Sequence, residues 1–397
     1  MLAFLFLAAI ELSSNFEGGS AGKVERVSAN HLRVSVAGQS DQDGRNRQAS
    51  WYYFRLDHLP RGEVSIDLVD LAGEYNYRRP VYAVTANTRP VYSYDGVNWN
   101  HFRDDQVSWD ASEPHLTLHF TPEREHMWIA HDQPYTNQDL AALLLEFRDS
   151  SHLRRDVAGK TVEGRDMPLF TITNPERPES GKQVIWLMFR QHAWEAGTSW
   201  VCDGATRFLL SADPRAARIR DAVLFRIFPM ADPDGVAHGG VRFNRNGYDL
   251  NRNWDTPDAR LMPEIWSQHK AIVDWLDTGH RLDLFLSQHN TETNEYLECA
   301  AGVDDPLARR VFRLLKESTS FNPTSELMAS GETTTPGRPG RMTVDQGLYH
   351  DRRVRAFLME QMVQYNSRLG RCPTAEDRRE FGAALVRALA AAVSSAE

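Results

Sequence analysis

Cysteine is scarce in this chain of 397 residues, and the few that occur stand far apart. Cys202, Cys299 and Cys372 cannot build a disulfide framework, and none sits in a Cys-x-x-Cys pair of the metal-binding kind. A reduced state, or a single bridge, is expected. Basic runs and stripes are missing as well. With a net charge of −9, that makes nucleic acid an unexpected partner, and pairs such as Arg352-Arg353 and Arg378-Arg379 read as solvated faces. No apolar run approaches the roughly 20 residues that cross a bilayer, so stable membrane insertion is not expected. The stretch from Leu2 to Ile10 resembles the apolar core of a signal peptide. It lacks the positive n-region and a small-x-small cleavage site, so cytoplasmic and exported locations both stay open. Internal repeats are absent too, and only Thr333 to Gly340 is of low complexity, as in a surface loop. Oligomeric state is not legible.

What remains has an ordinary globular composition, 41% hydrophobic and 25% charged, in a chain too long for one core. The first third alternates apolar and polar residues with period two in His31 to Val36, Val64 to Leu68 and His115 to Phe120, around an aromatic strand at Trp51 to Phe54. Turn signals such as Gln42-Asp-Gly44 and Tyr94-Asp-Gly96 separate them. Short strands at this spacing predict an antiparallel β-sandwich, placed at 10–133. From Pro134 the pattern changes. Helical periodicity appears at Pro134 to Glu146, Ser199 to Leu210, Pro263 to Asp277, Asp305 to Ser318 and Glu376 to Val393. It alternates with unbroken apolar runs at Val184 to Phe189, Val223 to Phe228 and Leu282 to Leu286, as in strands buried on both faces. Residues 134–397 are therefore expected to form an α/β domain with a mixed central sheet flanked by helices.

Three polar segments interrupt this plan. Gln191-His192-Ala-Trp-Glu195 follows one buried strand, Leu-Ser-Gln-His289 follows another, and Arg242-Phe-Asn-Arg-Asn-Gly-Tyr-Asp-Leu-Asn251-Arg252-Asn-Trp254 lies between them. Open α/β sheets bind ligands outside the carboxyl ends of their strands. Two imidazoles and a carboxylate with a vacant fourth position suit a catalytic zinc ion. His-x-x-Glu alone is weak evidence, since His289-Asn-Thr-Glu292 repeats it and keeps Glu292 as an alternative ligand. Arg242, Asn251 and Arg252 add guanidinium and amide groups suited to an oxyanion and a terminal carboxylate. Taken singly, Arg242 reads as a solvated loop residue, easily confused with Arg245, and Asn251-Arg252 as a helix-capping pair. Glu360 lies on an apolar strand, where burial without a partner is expensive. The order and combination point to a zinc exopeptidase.

These residues resemble the zinc metallocarboxypeptidase family, in its cytosolic-carboxypeptidase-like branch. Arg190 to Trp200 is similar to the first metal motif, Phe228-Pro-Met-Ala-Asp-Pro-Asp-Gly235 to the Asn-Pro-Asp-Gly loop, and Gly247 to Trp254 to the substrate-anchoring signature. Ala158 to Asp166 is similar to the strand pair that opens the catalytic domain, and the first third to the branch's additional sandwich. Asp232 replaces the usual Asn, Ala193-Trp194 replaces Pro-Gly, and the mobile tyrosine of digestive carboxypeptidases has no counterpart. The resemblance implies one zinc ion held by His192, Glu195 and His289. It implies Glu360 as catalytic glutamate, Arg242 as oxyanion donor, and Asn251 with Arg252 as the grip on a peptide's or protein's terminal carboxylate. Acidic C-terminal residues are common substrates in this branch, and Arg338, Arg341, Arg352 and Arg353 are candidates for a cationic pocket. A zinc amidase or deacylase of N-acyl amino acids, and a non-catalytic binding protein on the same fold, are the alternatives.

Overall fold

The computed structural model describes residues 9–394; most of the run Leu2 to Ile10 therefore lies outside the described residues. The chain divides into two units. The first runs up to Pro134 and takes in Ala237–Val241; the second comprises Tyr135–Val236 and the chain from Arg242 onward.

The first unit holds two five-stranded sheets. One orders Glu11–Ser13, Tyr53–Asp57, His126–Ala130, Val91–Ser93 and Asn100–His101; the other orders Val107–Asp110, His115–Phe120, Val64–Val69, His31–Ser35 and Val24–Ser28. Period-two alternation turns Leu32, Val34, Ile66, Leu68, Leu116 and Leu118 inward, where they share one apolar core with Phe54, Leu56, Met127 and Ile129 of the other sheet. This is a sandwich. Pairing is antiparallel save that His31–Ser35 runs parallel to Val64–Val69. Tyr53–Asp57, in the opposite sheet, intervenes between the two in sequence, so they are not neighbours joined by a hairpin, the connection that antiparallel pairs use.

The second unit is built on an eight-stranded sheet. Its strands are β1 (Leu153–Lys160), β2 (Asp166–Ile172), β3 (Gln183–Phe189), β4 (Val223–Phe228), β5 (Leu284–Thr291), β6 (Tyr296–Cys299), β7 (Met328–Ala329) and β8 (Ala356–Met362). They lie in the order β1-β2-β4-β3-β5-β8-β6-β7, and β4, β3, β5 and β8 are mutually parallel. The helices are α1 (Asn137–Glu146), α2 (Ala196–Leu210), α3 (Pro214–Ala222), α4 (Pro233–Ala237), α5 (Pro263–Asp277), α6 (Pro306–Ser318), α7 (Val344–Arg352) and α8 (Ala375–Ser394). Alternate strand residues serve different layers. Ile185, Leu187, Phe225, Leu286 and Phe357 pack with α2, α6 and α8, whereas Val184, Trp186, Leu224, Phe285 and Ala356 pack with α5 and α7. Both faces are covered, which is why these strands read as unbroken apolar runs.

The apolar run Leu282 to Leu286 is displaced relative to the strand it announces. β5 begins at Leu284 and continues through Ser287, Gln288, His289, Asn290 and Thr291, each paired with β8. His289 thus lies within the strand rather than after it. Among the described residues no helix is long and apolar enough to cross a membrane.

Candidate metal centre

At the carboxyl end of β3 the chain breaks from the sheet with Arg190 in the left-handed region, φ 59°, and turns into α2, whose N-cap is Glu195. His192 and Glu195 flank that turn. His289 arrives from β5, the neighbour of β3. The three residues are buried, and one ligand atom from each lies within 4.8 Å of the others. His192 Nδ1 is 2.7 Å from Glu195 Oε1, and His289 Nδ1 is 3.0 Å from Glu195 Oε2.

The outer nitrogens show which atoms face inward. His192 Nε2 is 3.1 Å from Asp249 Oδ1. His289 Nε2 is 2.9 Å from Gln191 Oε1 and 2.9 Å from Ser287 Oγ, whose hydroxyl itself donates to Gln191 Oε1. A carboxylate and an amide oxygen only accept, so both Nε2 atoms carry protons and both Nδ1 atoms present lone pairs towards Glu195. His289 Nδ1 and Glu195 Oε2 are buried and make no hydrogen bond despite their approach. His192 Nδ1 does meet Glu195 Oε1 in hydrogen-bond geometry; the convergence of the three donor atoms fits a divalent cation between them, and two imidazoles with one carboxylate form a zinc-type donor set. Burial raises the affinity of Glu195 for a proton, but in the metal-free site the two histidines, when protonated, outweigh it and lower the carboxyl.

Asp249 is a residue whose role the sequence did not disclose, although it lies inside the Gly247 to Trp254 signature. One oxygen takes His192 Nε2, and the other accepts from Arg242 Nε at 2.7 Å. Burial works against its charge, yet Arg242, Arg252 and His192 hold its carboxyl well below the usual range. Asp249→Asn, which loses the charge, is expected to weaken zinc binding by about 10- to 100-fold, as outer partners of ligand histidines do. Titration against a competing chelator measures this; unchanged affinity would show that Asp249 does not orient His192.

Arg242 is largely buried and turned to Asp249, while Arg245 reaches Glu163 at the surface, which separates two residues confusable in sequence. Arg252 is 2% exposed and donates from Nη1 to Asn251 O at 2.7 Å. Asn251 Oδ1 accepts from Val344 N at 2.9 Å, the first residue of α7, so the capping reading of this residue is realised across space. Its Nδ2 lies 3.4 Å from His289 Nε2.

Glu360 sits on β8 directly beside His289. Burial pushes its carboxyl well above the usual range, the charge of Glu195 adds to this, and Arg242 opposes it. Glu292 is not in the metal group; burial raises it to about 8, and its Oε1 has no hydrogen bond. Glu298 on β6 is raised to about 7 by burial and then by Asp345, with Arg252 opposing. A carboxyl with a raised folded-state pKa favours folding when protonated. That stability is present below the unfolded value of about 4.3 and is lost as pH rises through about 7. Glu298→Gln should therefore raise the stability of metal-free protein at pH 8 by on the order of 2 kcal/mol, with little effect at pH 4.5. Urea unfolding at the two pH values tests this, and equal shifts at both would refute it.

Arg352 pairs with Asp277, and Arg353 lies over the Tyr349 ring. Both sit where α7 ends, ahead of the start of β8, whereas Glu360 is near that strand's far end. They do not line the site.

Residues 142–293 match the model of the family described as zinc carboxypeptidase, and residues 12–131 match that of the cytosolic carboxypeptidase N-terminal domain. Human cytosolic carboxypeptidase 1 is 29% identical over 315 residues, covering 71% of this chain and 25% of that protein. Human cytosolic carboxypeptidase 2 is 29% identical over 288 residues, covering 66% of this chain and 31% of that protein. The chain thus spans about a quarter to a third of the length of these relatives. The fold is similar to that of a metallo-carboxypeptidase from Burkholderia cenocepacia, with a TM-score of 0.82 and 24% identity over 97% of this chain and 99% of that one. A putative carboxypeptidase from Burkholderia mallei gives a TM-score of 0.81 and 25% identity over 99% of both chains. These matches place the chain among proteins with the carboxypeptidase fold. It belongs to the zinc carboxypeptidase family, in the branch that carries the cytosolic carboxypeptidase N-terminal domain. The catalytic-domain match spans His192, Glu195, Arg242, Asn251, Arg252 and His289 and ends before Glu360.

Proposed function

We propose that this protein is a zinc-dependent carboxypeptidase that hydrolyses the C-terminal peptide bond of peptides or proteins. The observation that carries the reading is the convergence of His192 Nδ1, His289 Nδ1 and the Glu195 carboxylate, one strand away from the buried Glu360. Zinc, when bound by these three residues, supplies a Lewis acid that polarises the scissile carbonyl and acidifies water.

The chain's own residues do the rest. Glu360, desolvated and raised above the usual carboxyl range, is a general base that takes the proton of the attacking water and passes it to the leaving amine. Arg242, held by Asp249 at 2.7 Å, donates to the developing oxyanion, an interaction worth about 3 kcal/mol in comparable donors. Arg252 and the Nδ2 of Asn251 grip the terminal carboxylate, a planar fork and an amide for a planar anion. An internal peptide bond presents no carboxylate there, so cleavage is confined to the last residue.

Arg352 and Arg353 lie away from the site and lend no support to an acidic preference, which leaves Arg338 and Arg341 as the candidates for it. A panel of N-blocked dipeptides differing in the last residue, assayed for released amino acid with and without a chelator, tests the function. Chelator-sensitive release is expected. Hydrolysis of N-acetyl amino acids without release from peptides would favour an amidase instead.

A further inference from the structure

The face of the sheet behind the metal ligands carries a buried patch of carboxamides. Gln288, Asn290 and Gln361 are 0%, 2% and 8% exposed, on strand positions where neighbouring turns of β5 and β8 carry Leu286, Phe357 and Met359 in the apolar core. Buried amides are costly unless hydrogen-bonded, and these are bonded to one another and to the backbone, save for Gln288 Oε1. Gln288 Nε2 donates to Gln361 Oε1 at 3.1 Å. Asn290, one residue from His289, donates from Nδ2 to Gln361 O at 3.1 Å, one residue from Glu360. Its Oδ1 accepts from Thr198 N at 3.1 Å.

That last bond answers a local deficit. Glu195 is the N-cap of α2, and its side chain makes no capping hydrogen bond, because the carboxylate is turned to the two histidines. An N-cap side chain normally accepts from the amide two or three residues on. Thr198 is the third. The Thr198 amide is bonded to the Glu195 carbonyl at 3.0 Å and also to Asn290 Oδ1 at 3.1 Å, so Asn290 adds, from a different strand, the side-chain acceptor that Glu195 does not supply. The approach is close: a Cβ on Gly197 would overlap the Arg378 guanidinium and lie 2.6 Å from Asn290 Oδ1. Arg378 Nη1 is itself 3.5 Å from that oxygen.

We infer that Asn290 is a positioning residue that caps α2 in place of Glu195, freeing the Glu195 carboxylate for the metal and tying it to the strands of His289 and Glu360. The inference rests on the proposed metal site. Its test is the zinc dissociation constant of folded protein, measured by chelator competition, with circular dichroism to establish the fold. Asn290→Ala is expected to weaken zinc binding by at least tenfold, because Glu195 is drawn back to its own helix. Asn290→Asp keeps the acceptor, loses the donor and adds a negative charge that faces the Arg378 guanidinium 3.5 Å away, and should stay within threefold of the unmutated protein. A merely structural asparagine would lower stability in both variants without this split. Affinity of folded Asn290→Ala within threefold of the unmutated protein overturns the inference. Should Asn290→Ala fail to fold, Asn290→Asp carries the test, and a tenfold loss there overturns it. Unmutated protein that binds no zinc overturns the metal site and the inference with it, whereas tight binding left unchanged by Asn290→Ala overturns the inference alone.

Discussion

Glu360→Gln should retain zinc and lose turnover by about 10³-fold, within the range general acid–base groups contribute. The glutamine is nearly isosteric and remains beside His289 on β8. It cannot accept a proton from water or return one to an amine. Glu360 is not one of the three converging donors and its carboxyl is raised well above the usual range, so zinc affinity should hold. Zinc content and kcat measured on the same preparation check this. Near-normal turnover would remove Glu360 from the mechanism; loss of zinc would make it a ligand.

His289→Ala should abolish both zinc binding and peptidase activity, down to the uncatalysed background. His289 supplies one of three donors and is wholly buried towards the carboxyl end of β5, so no nearby exposed side chain can swing in to replace it. The variant also leaves Glu195 with one imidazole instead of two, and Ser287 and Gln191 without their Nε2 partner. A cost in stability of about 2–3 kcal/mol is expected for buried polar groups losing a partner. Metal analysis after dialysis gives the first readout and thermal unfolding the second. Retention of one tightly held zinc per chain would show that the ion sits elsewhere.

Much of this arrangement is legible in the sequence, for reasons specific to each element. The strand Val223–Phe228 is buried along its whole length, so its apolar run had sharp edges. Helix α5 announces itself by proline in its first turn and apolar residues on one face. Helix α1 does so by the reciprocal capping of Thr136 and Asp139. The second half of β5 was hidden because Ser287, Gln288, His289 and Asn290 are polar on both faces. One face looks into the site and the other builds the amide patch, whereas pattern reading equates polar residues with solvent. Asp249 and Gln191 escaped for a different reason. Each acts on a histidine 57 or 98 residues away, and no local pattern encodes such a contact. Of the four arginines that precede Glu360 in sequence, Arg352 and Arg353 are not near it in space. Those arginines end a helix on the amino side of β8.

The most direct measurement is anomalous scattering at the zinc edge from crystals of the zinc-loaded protein. One peak per chain is expected, about 2.0–2.2 Å from His192 Nδ1, His289 Nδ1 and a Glu195 oxygen, the usual range for nitrogen and oxygen donors. An ion bound through Nε2, or by Glu292 in place of Glu195, would contradict the proposed centre, as would no peak between the three residues.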